Sequence, residues 1–344
     1  MEQIEEKYAG TIGQLDKLVS DQVVPGISYC LFDKKEEYSR VFGHAQLIPQ
    51  KKELKERMQY DVASLTKVIG TVPVICMAIQ EGKLKLEDPI SKYLPGVQLV
   101  GPTIRNLLTH TSGIYGYIPH RNDLNAVQLK EAYLNKQVVG PNLSKQIKYE
   151  DVNFLYLGWI AEKVYGAPIQ QLITEKIIES LHLNETTFTP SKSRCVPTEV
   201  QKKRGVIQGA AHDPKAYILG AECGCAGLFT TLDDLISYCR SLIETNLADL
   251  LTPTMVEMLF QDQTPMKGQH SRSLGWKLLH APADGHVLIS HTGFTGTWVI
   301  LDRKGDQGLV VLTNRVHPTA KNQLFLDRRD QIYSLYLKEL EKIL

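Results

Sequence analysis

Tyr60-Asp61-Val62-Ala63-Ser64-Leu65-Thr66-Lys67 leads into apolar residues at helical spacing, Ile69, Val72, Ile75, Met77 and Ile79, and Gly82 closes the run. Three residues separate Ser64 from Lys67, so on a helix they share a face with Cβ atoms about 5–6 Å apart. A serine hydroxyl is a poor nucleophile until a neighbour takes its proton. A lysine can do that once burial or nearby positive charge pulls its pKa below its value in water. Taken alone, the pair reads more simply as a capping serine and a solvent-facing lysine, because this spacing is common by chance. Pro73 falls inside the helical pattern, where it removes a backbone hydrogen bond, so a kink or break is expected there.

Upstream, Ile4, Tyr8, Ile12, Leu15 and Leu18 recur at helical spacing and predict an amphipathic first helix. After Pro25-Gly26 come two strands, 27–32 and 38–42, around a charged turn. The mixed-sign run Lys51 to Arg57 reads as a solvated helix face. Downstream of Leu86, Asp88-Pro89, Tyr93-Leu94-Pro95-Gly96, Gly101-Pro102 and Gly140-Pro141 break the chain into short, mostly helical pieces. The clearest helices there are 154–164 and 168–178. Short β-branched runs return at 287–290, 297–301 and 309–313, with tight links that favour antiparallel pairing. A last helix carries Ile332, Leu335, Tyr336, Leu340 and Ile343 on one stripe. Strands at both ends and helices between predict an α/β (α+β) fold with a central antiparallel sheet flanked by helices. Residues 1–88 plus 220–344 would form one discontinuous domain and 89–219 a mostly helical one, with the active site in the cleft between them.

The chain has 344 residues, with 39 basic and 38 acidic groups for a formal net charge of +1. That balance provides no field to attract nucleic acid or an anionic membrane, and no stretch is apolar enough to span a bilayer. Acidic residues stand at 2, 5 and 6, where an export signal needs an apolar run, which predicts cytoplasmic residence and free thiols. Of six cysteines, only Cys223 and Cys225 lie close in sequence. Without a second metal-spaced pair they read as small residues near a turn. No nucleotide loop, metal triad or Gly-x-Ser-x-Gly elbow is present, so neither cofactor nor metal is expected.

From about Pro25 to Pro318 the sequence resembles the serine hydrolases related to class C β-lactamases, the penicillin-binding-protein-like group that includes D-alanyl-D-alanine carboxypeptidases, D-amino-acid peptidases and esterases. Four segments carry the resemblance. Ser64-Leu65-Thr66-Lys67 matches the nucleophile motif. Leu107-Leu108-Thr109-His110-Thr111-Ser112-Gly113 matches a run whose role is mainly to shape the cleft. Tyr149-Glu150-Asp151 matches a Tyr-x-Asn motif, with Asp151 in place of the amide. His291-Thr292-Gly293 matches Lys-Thr-Gly, with His291 in place of the lysine.

The resemblance implies acyl transfer, with Ser64 as nucleophile, Lys67 as its activator and Tyr149 passing a proton to the leaving group. The Ser64 and Phe294 amides would form the oxyanion hole, and Gly293 would leave room for a substrate backbone. Asp151, His291, Thr292 and Arg315 would contact substrate. Arg315 is the candidate for the carboxylate-binding charge that a neutral His291 lacks. Weaker similarity covers Gly209 to Ala216, where His212 and Asp213 read as a loop tether, and Ala226 to Phe229, where Cys225 stands in place of a frequent histidine. The substrate expected first is a small carboxylic ester or amide. The alternative is a D-alanyl-D-alanine carboxypeptidase or a class C-like β-lactamase acting on a D-amino-acid peptide or lactam. A non-catalytic binding protein on the same fold is the third reading. The oligomeric state is left open.

Overall fold

The computed structural model describes residues 2–340. Its centre is a seven-stranded sheet in the order Lys277–His280, Val287–Thr292, Trp298–Asp302, Gln307–Thr313, Gly26–Phe32, Glu37–Gln46, Lys52–Glu53, antiparallel throughout. Gly26–Phe32 is buried along its whole length. Side chains alternate across a strand, and here both faces are apolar. Cys30 and Phe32 enter one core, while Ile27, Tyr29 and Leu31 enter the other.

The second core lies under the two terminal helical regions. Ile4, Tyr8, Ile12, Leu15 and Leu18 form the expected stripe, but on two helices, Glu2–Lys7 and Ala9–Ser20, with a turn at Tyr8. They pack on Phe325, Ile332, Tyr336 and Leu340 from the last helix, Gln323–Glu339. Thr11 donates from its amide and hydroxyl to Glu339 Oε2 at 2.8 and 2.7 Å, which ties the chain ends together. Ile343 lies outside the described residues. The first and larger core runs from the opposite sheet face into the helices of the middle of the chain, including Val152–Tyr165. The division between cores therefore follows the sheet.

Residues 89–219 contribute no strand to this sheet. Helices Ile104–Leu108, Ala126–Lys136, Val152–Tyr165 and Ile169–Ile173 dominate there, and the predicted 168–178 helix ends in a π-turn, Thr174–Ile178. The run Lys51 to Arg57 is not helical. Lys52–Glu53 is a short edge strand paired with His44 and Gln46, and edge strands tolerate charge because one side faces water. Lys277–His280, absent from the sequence reading, forms the other edge. The break expected at Pro73 takes a specific form. Lys67–Thr71 is a π-turn closed by Val72 N–H on Lys67 O, and the α-helix Val72–Gln80 starts afresh with Pro73 in its first turn, where its missing N–H costs nothing.

Candidate active site

Ser64 follows a strained, braced turn. The two-residue strand Tyr60–Asp61 pairs with Phe229–Thr230. The buried Asp61 carboxylate accepts from Ala63 N–H at 2.9 Å and His212 N–H at 2.7 Å. Ala63 sits at φ +46°, a left-handed conformation costly for a residue with a Cβ. Thr66 Oγ1 donates to Ala63 O at 2.6 Å, and Thr295 Oγ1 donates to Asp61 O at 2.7 Å. These contacts present Ser64, half-buried, at the mouth of the helical segment that carries Lys67.

Lys67 is wholly buried and uses its three donors, on Ser64 Oγ at 2.7 Å, Cys225 O at 2.8 Å and Asp151 Oδ1 at 2.8 Å. Burial is the largest single influence and pulls its pKa down, but Asp151, joined by Tyr149 and Cys225, outweighs it and holds Lys67 well above the ordinary lysine value. The condition for direct base action, a lowered pKa, is not met: at rest Lys67 is an ammonium that donates to the nucleophile. Asp151 is in turn held well below the usual carboxylate range. Burial opposes this, but Lys67 and Lys215 outweigh it. Lys215 Nζ lies 3.1 Å from Asp151 Oδ2 and 2.7 Å from Asp213 Oδ2. The result is a line of alternating charge, Lys67, Asp151, Lys215, Asp213, ending on Ser64.

Sequence reasoning missed Lys215. The only signal was its neighbour Asp213, which caps the helix Pro214–Leu219 through Lys215 and Ala216 N–H and thereby aims Lys215 inward. His212 acts as the expected tether. Its Nε2 meets Glu199 at 3.1 Å and its ring stacks on Phe294 at 5.4 Å.

Tyr149 lies over Lys67, with the ammonium 5.3 Å from its ring centroid, and stacks on His110 at 4.4 Å. Its hydroxyl makes no hydrogen bond among the described residues, and the side chain is 42% exposed. His110 shapes this wall: Nδ1 meets Asn153 Nδ2 at 3.0 Å and its ring faces Phe154. His291 stands at the end of Val287–Thr292, only 4% exposed, and neither ring nitrogen has a hydrogen-bond partner. Burial first, then Lys67 and Arg272, push its pKa well below the usual histidine value, so it is a neutral imidazole.

The Ser64 and Phe294 N–H groups donate to nothing among the described residues, and both residues line a cavity of about 650 Å³ with Tyr149, Asp151, Thr292 and Arg315. Gly293 lines the same cavity, and its own backbone surroundings also require a glycine. A Cβ there would collide with Thr297 Oγ1 and Val62 O. Arg315 spends Nε on Phe294 O at 2.9 Å and Nη1 on Ala320 O at 3.4 Å, and covers the Phe294 ring. It braces the Phe294 turn.

All six cysteines are free and buried. Between Cys223 and Cys225, a Cβ on Gly224 would stand 2.6 Å from Phe154 O, so the pair belongs to a tightly packed turn whose Cys225 carbonyl holds Lys67. No group of three or more His, Cys, Asp or Glu among the described residues is placed to hold a metal ion. No helix among them is long and apolar enough to cross a membrane.

The Beta-lactamase family model matches residues 8–332. A Bacillus subtilis protein named N-acetylmuramyl-L-alanine amidase is 28% identical over 81% of this chain and 73% of its own length. A putative D-alanyl-D-alanine carboxypeptidase of Escherichia coli K12 is 27% identical over 91% of this chain and 84% of its own. The structure of a β-lactamase/D-alanine carboxypeptidase from Yersinia pestis superposes with a TM-score of 0.72, covering 96% of this chain and 99% of that one at 20% identity, a likeness of fold. Proteins of the β-lactamase and penicillin-binding kind are typically periplasmic or secreted, which overturns the cytoplasmic expectation. The acidic opening of the sequence carries no weight against that.

Proposed function

The chain belongs to the Beta-lactamase family, and from that premise we propose that it is a serine hydrolase working through a Ser64 acyl-enzyme on a small amide of the D-alanyl-D-alanine kind. The curated relatives bear the names of amide hydrolases, an amidase and a putative carboxypeptidase. That favours the carboxypeptidase alternative over the ester-first reading. Of the three grounds for the ester-first reading, the one from localisation has fallen with the cytoplasmic expectation; the changes at His291 and Asp151 stand. The observation that carries the reading is the 2.7 Å contact between Ser64 Oγ and the buried Lys67 Nζ, beside two amides free to donate.

We assign the reaction to the cleft between residues 1–88 plus 220–344 and residues 89–219. Lys67 is already wholly buried, so when substrate covers the cleft it is Asp151 that loses its remaining contact with water, which favours the neutral form of the pair. Lys67 passes a proton to Asp151 Oδ1, then takes the Ser64 proton as Oγ attacks the carbonyl carbon. The oxyanion is held by the Ser64 and Phe294 N–H groups. Tyr149, exposed at the cleft wall, presents its hydroxyl to the departing nitrogen and delivers the proton that lets the C–N bond break. Asp151 returns its proton through Lys67 and re-protonates Tyr149. Water then attacks the acyl-enzyme along the same proton route in reverse, and Ser64 is regenerated. A neutral His291 and a carbonyl-bound Arg315 contribute shape and donors to the walls.

The test compares release of D-alanine from an acyl-D-alanyl-D-alanine peptide with turnover of a p-nitrophenyl ester and a chromogenic cephalosporin, in wild type and Ser64→Ala. The reading expects Ser64-dependent D-alanine release. Ester turnover with no release of D-alanine would return the assignment to an esterase. Equal activity of the two proteins on every substrate would leave only a binding role.

A further inference from the structure

Asp61 joins three stretches of chain that meet around the Ser64 and Phe294 amides. It is 2% exposed, on the short strand Tyr60–Asp61. Its Oδ1 accepts from Ala63 N–H at 2.9 Å and so fixes the residue before Ser64. Its Oδ2 accepts from His212 N–H at 2.7 Å. The Asp61 carbonyl accepts from Thr295 Oγ1 at 2.7 Å, on the residue after Phe294. Next along, Val62 O accepts from Thr297 Oγ1 at 3.2 Å. His212 closes the circle, because its ring stacks on Phe294 with centroids 5.4 Å apart.

The residue type follows from this arrangement. Ala63 and His212 are distant in sequence, and their two amides converge on one side chain from different directions. An asparagine offers one acceptor oxygen, and its NH2 group would face the other amide donor to donor. A carboxylate offers an oxygen to each. Burying it costs free energy unless it is hydrogen-bonded, and N–H bonds to an ionised oxygen are the strong kind. They act where strain has to be held, since Ala63 sits at φ +46°. The two amides of the oxyanion hole are thus tied to the same residue, Ser64 N–H through Ala63 and Phe294 N–H through Thr295 and His212.

We propose that Asp61 is the positioning residue of the oxyanion hole: it sets the relative placement of the Ser64 and Phe294 N–H groups, and so governs the rate of acylation without touching substrate. The proposal rests on the acyl-enzyme reading and goes beyond it by naming what holds the two donors in register. The full oxyanion exists only once Ser64 Oγ adds to the carbonyl. A displaced donor therefore weakens the transition state more than the bound substrate. Its loss belongs in the limiting rate and not in binding.

The test compares wild type with Asp61→Asn and with Thr295→Val, which replaces the hydroxyl of the other arm by a methyl group. Each protein is acylated in single turnovers by a p-nitrophenyl ester and by an acyl-D-alanyl-D-alanine peptide, both isotope-labelled at the reacting carbonyl carbon. The infrared band of the acyl-enzyme carbonyl is recorded with whichever accumulates. Hydrogen bonds to that carbonyl lower its stretching frequency, so the band reports the donors themselves. Asp61→Asn should lower the limiting acylation rate on the order of 10- to 100-fold. Its half-saturating substrate concentration should change little, and its band should move to higher frequency. Thr295→Val should show the same changes to a smaller extent. If Asp61→Asn does not fold, Thr295→Val decides on the same readouts. A wild-type rate in the folded variants, a loss confined to the half-saturating concentration, or a slower rate with an unshifted band overturns the positioning role and keeps the acyl-enzyme. No Ser64-dependent acyl-enzyme from either substrate in wild type overturns both.

Discussion

Lys67 Nζ and Asp151 Oδ1 stand 2.8 Å apart in a buried ion pair, and that contact decides the protonation of the group beside the nucleophile. An amide at 151 would leave a buried lysine opposed mainly by desolvation. A carboxylate there reverses the sign of the net shift. Activation thus becomes a matter of moving a proton within a pair.

The pH profile of acylation should report this. Lys67 is held above and Asp151 below their ordinary values, so neither titrates between roughly pH 5 and 9, and their contribution to the wild-type rate is flat there. In Asp151→Asn the largest influence raising Lys67 is gone and burial lowers it. Its neutral fraction, and with it the acylation rate, should rise with pH through a new limb inside that window. Stopped-flow acylation at a series of pH values checks this, and an unchanged profile would remove Asp151 from the proton route.

Lys215 is shared by Asp151 and Asp213. Lys215→Met would leave Asp213 without its lysine and Asp151 with Lys67 alone. Both carboxylates keep some contact with water, so the cost should be about 1–3 kcal/mol, below that of breaking a fully buried pair, and Asp151 should move up but stay below the usual carboxylate range because Lys67 remains. Lys215→Arg should recover most of the stability. Urea denaturation of the three proteins measures the difference.

Gly293→Ala should destabilise by about 1–3 kcal/mol, because Thr297 and the Val62 carbonyl occupy the space a methyl needs. The following amide, that of Phe294, would shift with the turn. Acylation should therefore fall at least on the order of tenfold, as expected when a donor to the oxyanion is misplaced. Thermal melting and single-turnover rates test the two parts separately.

His110 and His291 are both buried and both held well below the usual histidine pKa, by burial first. In the unfolded chain each takes up a proton near pH 6.5 that the folded state refuses. Their share of stability is complete above about pH 6.5. It falls below it by as much as about 1.4 kcal/mol per pH unit for each group until the folded pKa is reached. Chemical denaturation between pH 5 and 7.5 should show this slope, reduced in His110→Asn.

Much of the fold was legible because the signals are local. The continuous apolar runs of 27–32, 297–301 and 309–313 reflect strands that bury both faces, and the Ile4-to-Leu18 stripe survived a helix break at Tyr8 because both helices rest on the same core. Lys277–His280 and Lys52–Glu53 were not legible, since short edge strands carry polar residues that look like turn or helix surface. The nucleophile turn, Tyr149 and the Gly293 turn were found by resemblance in motif order. Lys215 and Asp61 were not, because what distinguishes them is burial and partners distant in sequence, which no local pattern encodes. The sign of the Lys67 shift is open in the sequence for the same reason: it depends on the distance to Asp151.

The most direct measurement is intact-protein mass spectrometry, with peptide mapping, during turnover of a slowly deacylating substrate. An acyl adduct should form on the peptide containing Ser64, be absent in Ser64→Ala, and form on the order of 10²- to 10⁴-fold more slowly in Lys67→Met. An adduct on another residue, or undiminished turnover by Ser64→Ala, would contradict the account.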